Sequence, residues 1–521
     1  MLLYTAELKR PLSEPLAYKR EAVDRLIGRL ALEKCRDVRI GSPLKRGISG
    51  GQAKRTNVGI ALITTPAILF LDEPTSGLDS FTAHEVMEVV RGLAVEDGTT
   101  ICATIHSPSS ACFALFDRVM VLASGWTVYF GAPGVVASDY LTHVCGSRPL
   151  NHGENLAEWM MDFLTMSDRE GRSSALHDSY TKSELAQEAC QQLERYLADA
   201  QSKAALSRGA SMNSLAGADA ADGVGGACCC GLADGSSPAG QLLARVSGSE
   251  QYVTPWWWSL KVLLQYRTVR NYQSMEYLGP RLFDKIIFAL VIMSLYFGIG
   301  DNFKSENIPS MAALMYLCVA QPAWGAVAYV PAIMLERGLY VRERHDGLYR
   351  PLTYLMFKML DELSLNFAVG LGSTAIIFYG VQLRGEFVYF WLNCMCTLSN
   401  GVLIAYMMAA FCPNLDVANA AVPTLLAVML FLSGFLIRIE SIPVYWRWLT
   451  YADLLRYSWQ GLMVNQFQQH PQAELAGTPI LEYYNLTNTN KWVELAIVIG
   501  FFGGWCILAW YALAFVRHQK R

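Results

Sequence analysis

Ala67-Ile68-Leu69-Phe70-Leu71-Asp72-Glu73-Pro74-Thr75-Ser76-Gly77-Leu78-Asp79-Ser80 is the stretch on which the reading of this chain turns. Its unbroken apolar run predicts a strand covered on both faces, as in a parallel sheet. Asp72 and Glu73 follow at the carboxyl end, where open α/β sheets bind ligands. There Asp72 suits a magnesium ion held through water, and Glu73 suits polarising an attacking water. A strand ending in Asp-Glu is more commonly just a solvated strand end. The pair gains weight only from its neighbours.

Upstream, Ile48-Ser49-Gly50-Gly51-Gln52 leads into a helix over Ala53–Ile63. Serine and two glycines at a helix N-terminus let backbone N–H groups approach an anion, which the helix dipole also favours. Ser-Gly-Gly alone is a common turn. Downstream, Pro74–Ser80 turns into another helix, and a second apolar strand, Thr100–Thr104, puts His106 beside the same strand end. A lone histidine there is usually structural. Ser49, Asp72, Glu73, Asp79 and His106 in this order and spacing are hard to obtain by chance.

Apolar residues make up 53% of the 521 and charged ones 17%, which is apolar for a soluble protein. With a net charge of −3 and no basic tract, nothing argues for nucleic acid. The 13 cysteines fit reduced thiols rather than a disulfide framework. Glu7, Lys9, Arg10, Pro11 and Glu14 break up the opening residues, so no signal peptide is expected there.

The apolar content is concentrated late. Ile308–Leu335, Leu363–Leu383, Phe387–Leu415, Val417–Ile437 and Leu495–Val516 are charge-free and long enough to cross a bilayer, which takes about 20 residues. Ile286–Gly300 is shorter and qualifies if Arg281 and Lys285 snorkel. Six spans are therefore expected, at about 282–300, 310–334, 363–383, 388–411, 417–437 and 495–516. Basic residues before the first run, between the second and third, and in the tail (Arg517, Lys520, Arg521) put both termini in the cytosol. The loop Arg438–Glu494 then lies outside and carries a glycosylation sequon, Asn485-Leu486-Thr487. Between the halves, Ser183–Leu206 suits a helix, and Ser207–Gly240 is too poor in large apolar residues to order itself. Cys228-Cys229-Cys230 within it reads as a chance cluster. Trp256, Trp257 and Trp258 suggest a helix at the membrane interface.

At this point the residues carry a resemblance. Ile48–Gln52 resembles the signature motif of ATP-binding cassette (ABC) transporters, and Leu69–Glu73 the Walker B strand with its catalytic glutamate. Ser76–Asp79 resembles the D-loop, and Ile105-His106-Ser107 the switch-histidine loop. Asp72–Ser80, Val128-Tyr129-Phe130-Gly131, and Glu336-Arg337 through Gly347-Leu348-Tyr349 are similar to the G (White-type) subfamily in particular. The resemblance covers nearly the whole chain apart from the linker. It implies an incomplete α/β P-loop NTPase-like cassette over 1–165, a largely disordered cytosolic linker over 166–250, and an all-α six-span ABC-2 type domain over 251–521.

It further implies ATP and Mg2+ as cofactors and a second half transporter as partner. Ser49, Gly50, Gly51 and Gln52 would face the γ-phosphate held by the partner. Asp72 would serve magnesium, Glu73 the water, His106 the γ-phosphate, and Asp79 communication between sites. Cargo would be a lipid, sterol or other hydrophobic molecule, exported across a bilayer, with the plasma membrane as the usual site. Gln321, Trp324, Asn419 and Phe431 are polar or aromatic groups in the spans that could line a path or equally serve helix packing.

One element departs from the pattern. A phosphate loop needs Gly-x-x-x-x-Gly-Lys-Ser/Thr, and no Gly-Lys pair occurs in these residues. The expectation is a chain inactive by itself, with the strands that flank Walker B absent and its sheet edges exposed. Two readings remain open. One is an incomplete product of an ATP-driven exporter; the other is a non-hydrolysing partner of an intact half transporter.

Overall fold

The computed structural model describes residues 1–41, 47–213, 252–470, 473–475 and 477–516. The chain forms two compact units, Met1–Gln251 and Tyr252–Arg521.

In the first unit, helices α1 (Leu2–Lys9), α2 (Leu16–Arg29) and α3 (Gly50–Leu62) gather around Ala6, Val23, Leu26, Leu30, Val58 and Leu62. Val23, Leu26 and Leu30 recur at helical spacing, which gives α2 and its end one apolar stripe to bury. Strand β1 (Ile68–Asp72), helix α4 (Ser80–Asp97) and strand β2 (Thr100–Thr104) follow, and the strands pair in parallel with Asp72 opposite Thr104. Helix α4 is the crossover that a parallel pair requires. It ends on Gly98 at φ +63°, a left-handed position that glycine takes without a Cβ penalty.

The expected burial of β1 on both faces is not found. Leu69 is buried, whereas Ile68 is 52% and Phe70 76% exposed. Helices α3 and α4 pack on one side of the strand pair, and no described residue covers the other.

A hairpin of β3 (Val119–Ala123) and β4 (Trp126–Gly131) turns on Ser124 and Gly125, both at positive φ, as a two-residue hairpin loop demands. It packs with α5 (Val135–His143), α6 (Leu156–Arg169) and α7 (Ser173–Thr181) around Tyr129, Tyr140, Trp159, Leu164, Leu176 and Tyr180. This revises the expected linker over 166–250. The boundary drawn at residue 165 falls inside α6, and α8 (Glu184–Asn213) carries helix beyond Ser207. Leu176, Tyr180 and Ala186 bury into the same core, which is why the segment is ordered. The rest of the linker, with its triple cysteine, lies outside the described residues, as do the basic residues of the tail.

The second unit opens with α9 (Trp256–Leu263), running into a π-helical turn at Leu264–Thr268. There follow α10 (Met275–Leu295), α11 (Ile308–Gly325), α12 (Val330–His345), α13 (Pro351–Val381), α14 (Phe387–Phe411), α15 (Leu415–Leu432), α16 (Leu454–Phe467) and α17 (Lys491–Phe515). Among the described residues, 5 helices are long and apolar enough to cross a membrane: Ile308–His345, Pro351–Val381, Phe387–Phe411, Leu415–Leu432 and Lys491–Phe515. The segment expected as the first span is helical as α10, but Arg281, Asp284 and Lys285 keep it out of that set.

Helix α14 is the centre of the bundle, in contact with α11, α13, α16 and α17. Its buried polar side chains find partners on neighbouring helices. Asn393 Nδ2 donates to the Ser458 carbonyl at 2.9 Å, and Asn400 Nδ2 to that of Val498 at 3.1 Å. Helix α16 belongs to the loop expected outside, yet it folds back among α11, α14 and α17. Leu455, Trp459, Met463 and Phe467 give it an apolar face to bury. Asn485, in the sequon, stays exposed on a turn at φ +57°.

Candidate functional site

Asp72, Glu73 and His106 meet at the carboxyl ends of β1 and β2, while Ser49 and Asp79 cap the helices α3 and α4. Ser49 is the N-cap of α3, and its hydroxyl accepts from Gln52 N while its own N–H donates to Gln52 Oε1 at 2.9 Å. This reciprocal pair satisfies two amides that a helix start leaves orphaned and fixes the direction of the first turn. Ser49 and Gly50 are exposed, so the positive end of the helix faces open space. Gly51 is buried against α4. A Cβ there would stand 2.3 Å from Thr82 Cγ2, so only glycine permits the approach.

Asp79 caps α4 in the same manner, accepting from Thr82 N at 3.0 Å and Thr82 Oγ1 at 2.8 Å. Those bonds, the main-chain one first, hold its carboxyl below the ordinary aspartate value. Thr82 therefore touches both motifs: its hydroxyl holds Asp79 and its methyl packs on Gly51.

At the strand ends, Asp72 Oδ1 accepts the Thr104 hydroxyl at 2.6 Å. Glu73 N donates to the Thr104 carbonyl at 3.1 Å and lies 3.0 Å from its Oγ1. Glu73 has φ +46°, a conformation that costs a non-glycine residue about 1–2 kcal/mol. It is held there from both sides, because Lys54 Nζ donates to the Glu73 carbonyl at 3.0 Å. The conformation turns its side chain toward His106, whose Nε2 lies 3.2 Å from Glu73 Oε1. Both side chains are reachable from solvent.

The arrangement thus brings Asp72, Glu73 and His106 to one strand end and joins Gly51 to Asp79 through Thr82. Thr104 and Lys54 were missed by the sequence reading. Thr104 was findable, since parallel register sets it against Asp72. Lys54 was not, because nothing local says where its ammonium reaches. In the second unit, Gln321 lines a small cavity.

A single carboxylate at an open strand end, with Oδ2 left free of Thr104, suits the outer shell of a magnesium ion. That ion keeps several waters and takes its other donors from phosphates. The strand end fits such an ion; a phosphate cradle is not among the residues given.

The ABC transporter family profile matches residues 4–76, which include Ile48–Gln52 and the strand to Glu73. The ABC-2 type transporter profile matches residues 259–467. ABC transporter G family member 18 of Arabidopsis thaliana is 27% identical over 491 residues, and member 14 is 28% identical over 534. Protein white of Drosophila melanogaster is 26% identical over 546 residues. Over nearly its whole length the chain is similar to the G family of ABC transporters. The chain is matched over 92% of its length by member 18 and spans 64% of that relative. It combines cassette residues with an ABC-2 type domain, and is an integral, multi-pass membrane protein. Nucleotide and magnesium are used across the ABC family; the His106 loop lies beyond the cassette segment that the profile matches.

Proposed function

We propose that this chain is one half of a dimeric, ATP-driven exporter of a lipid, sterol or other hydrophobic small molecule. The observation that carries the proposal is the Glu73–His106 contact at 3.2 Å, together with an exposed helix start at Ser49 and Gly50. In this reading the N-terminus of α3 faces the terminal phosphate of a nucleotide held by the partner. Glu73 accepts a proton from the attacking water, and His106 holds the carboxylate in place and donates toward the phosphate. Asp72 steadies magnesium through water, and that ion would neutralise charge developing on the phosphates. Asp79, rigidly capped on α4, reports the state of one site to the other. Helix α10 supplies the sixth span, both termini face the cytosol, and the membrane is the plasma membrane.

The phosphate cradle must come from a segment other than these residues, since they contain no Gly-Lys pair. That observation also favours the second reading, a non-hydrolysing partner of an intact half transporter. One experiment separates the two. A tagged chain is recovered from its native membranes with whatever co-purifies, and vanadate-sensitive ATP hydrolysis is measured for wild type, Ser49→Arg and Glu73→Gln. Loss of turnover in both variants supports the exporter. Loss in Ser49→Arg alone supports the partner reading, and turnover unchanged in both would overturn the proposal.

A further inference from the structure

A partly open pocket of about 40 Å³ lies in the second unit where α10, α11, α13 and α14 meet, with Asp284 exposed to solvent. Its walls carry more oxygen than a helix-packing void requires. Asp284 presents a carboxylate, and Gln321 Nε2 donates to its Oδ2 at 3.3 Å, which leaves the Gln321 carbonyl oxygen unused by that bond. Ser373 and Thr374 spend their protons on the Gly370 carbonyl, at 3.2 and 2.6 Å, so their lone pairs remain for a ligand. Pro322 lies inside α11 and has no N–H for the Cys318 carbonyl one turn earlier. That carbonyl accepts the weak Sγ–H donor of Cys394, at 3.6 Å. Gly325 keeps the approach open, because a Cβ there would stand 3.1 Å from Asp284 Oδ2.

The charge balance points the same way. Lys285 also borders the cavity, but its ammonium is committed to Tyr329 Oη at 2.9 Å and the Arg281 carbonyl at 3.2 Å. Arg281 is paired with Glu362 at 2.6 Å, and Tyr277 Oη joins Glu362 to Asp361. Asp284, Asp361 and Glu362 against Arg281 and Lys285 leave one negative charge uncompensated in this group.

Size decides the ligand. A water site takes roughly 10–15 Å³ by this kind of measure, and a drug-sized pocket about 300 Å³ or more. The cavity therefore holds an ion with a water or two and excludes a sterol. Asp284 lies at the cytosolic end of the expected first span, beside Lys285, where a hydrated ion can reach it. We infer that this is a binding site for a monovalent alkali cation, held by the Asp284 carboxylate, the Cys318 and Gln321 carbonyl oxygens and the Ser373 and Thr374 hydroxyls. Oxygen donors with a single charge suit sodium or potassium, and ionisable groups within membrane segments mark ion sites. The inference does not depend on transport.

The test is thermal unfolding of the purified full-length chain in neutral detergent, with equal concentrations of choline, sodium or potassium chloride. A cation that binds only the folded state raises the midpoint saturably, here by about 2–5 °C over choline. Asp284→Asn should abolish the rise. Pro322→Ala, which returns an N–H to the Cys318 carbonyl without changing charge, should reduce it. Equal midpoints in all three salts would overturn the site. So would a rise that survives Asp284→Asn or, should that variant not fold, one undiminished in Pro322→Ala.

Discussion

The carboxylate of Glu73 and the imidazole of His106 lie 3.2 Å apart at the carboxyl ends of two adjacent parallel strands. Neither has a reason to point at the other from its local sequence. The left-handed turn at Glu73, fixed by Thr104 on one side and Lys54 on the other, brings them together. Glu73→Gln keeps the shape and removes the base. In the complex recovered from membranes it should lower ATP turnover by a factor of roughly 10²–10⁴ without lowering nucleotide binding. Nucleotide photolabelling beside the hydrolysis assay checks both halves of that statement.

Gly51→Ala should destabilise the first unit by about 1–3 kcal/mol, because the new methyl overlaps Thr82 Cγ2. Thr82→Ser removes that methyl and keeps the hydroxyl bond to Asp79. The double variant should recover most of the loss, read as the unfolding midpoint of the full chain. Additive effects of the two changes would contradict the contact.

Acid should weaken the first unit in a defined window. Asp79 is held low by Thr82, Asp168 by the hydroxyls of Ser124 and Ser173, and Glu154 at about 2 by Arg148. A depressed value means that the folded state binds fewer protons than the unfolded chain. The contribution is therefore complete above the ordinary carboxylate range and is lost as pH falls through the folded values. Unfolding midpoints should decline from about pH 5 toward pH 2, and Glu154→Gln should flatten part of that decline.

Arg344 donates to the carbonyls of Leu513 at 2.8 Å and Ala514 at 2.6 Å, closing the carboxyl end of α17. Arg337, on the same helix, does likewise for α14 through Ala409, Cys412 and Pro413. Arg344→Gln should cost about 1–3 kcal/mol by leaving carbonyls unpaired. Arg344→Lys should recover only part of it, since an ammonium lacks the planar fork. Midpoints in detergent, with protease cleavage near residue 515 as a second readout, would show the end of α17 loosening.

Much of the membrane unit could be read from the chain alone, because hydrocarbon admits only long uncharged helices. Five of the expected spans correspond to the helices that meet that standard. The segment around α10 was read only with help from snorkelling, and its three charges explain why. The cassette motifs were legible as spacing. The extent of the first unit was not, since α7 and α8 look like linker until Leu176 and Tyr180 are seen in one core with Trp159.

What the sequence determined by itself was the order of motifs, the run lengths and the family resemblance, because these depend on residue type and spacing along the chain. Tertiary structure alone decided that Thr82 joins Gly51 to Asp79, that α16 folds back into the bundle, and that oxygen atoms from separate helices share one small cavity. Each of these depends on where side chains distant in sequence meet. Hydrophobic pattern specifies which face is buried, but not which polar atom it is buried against.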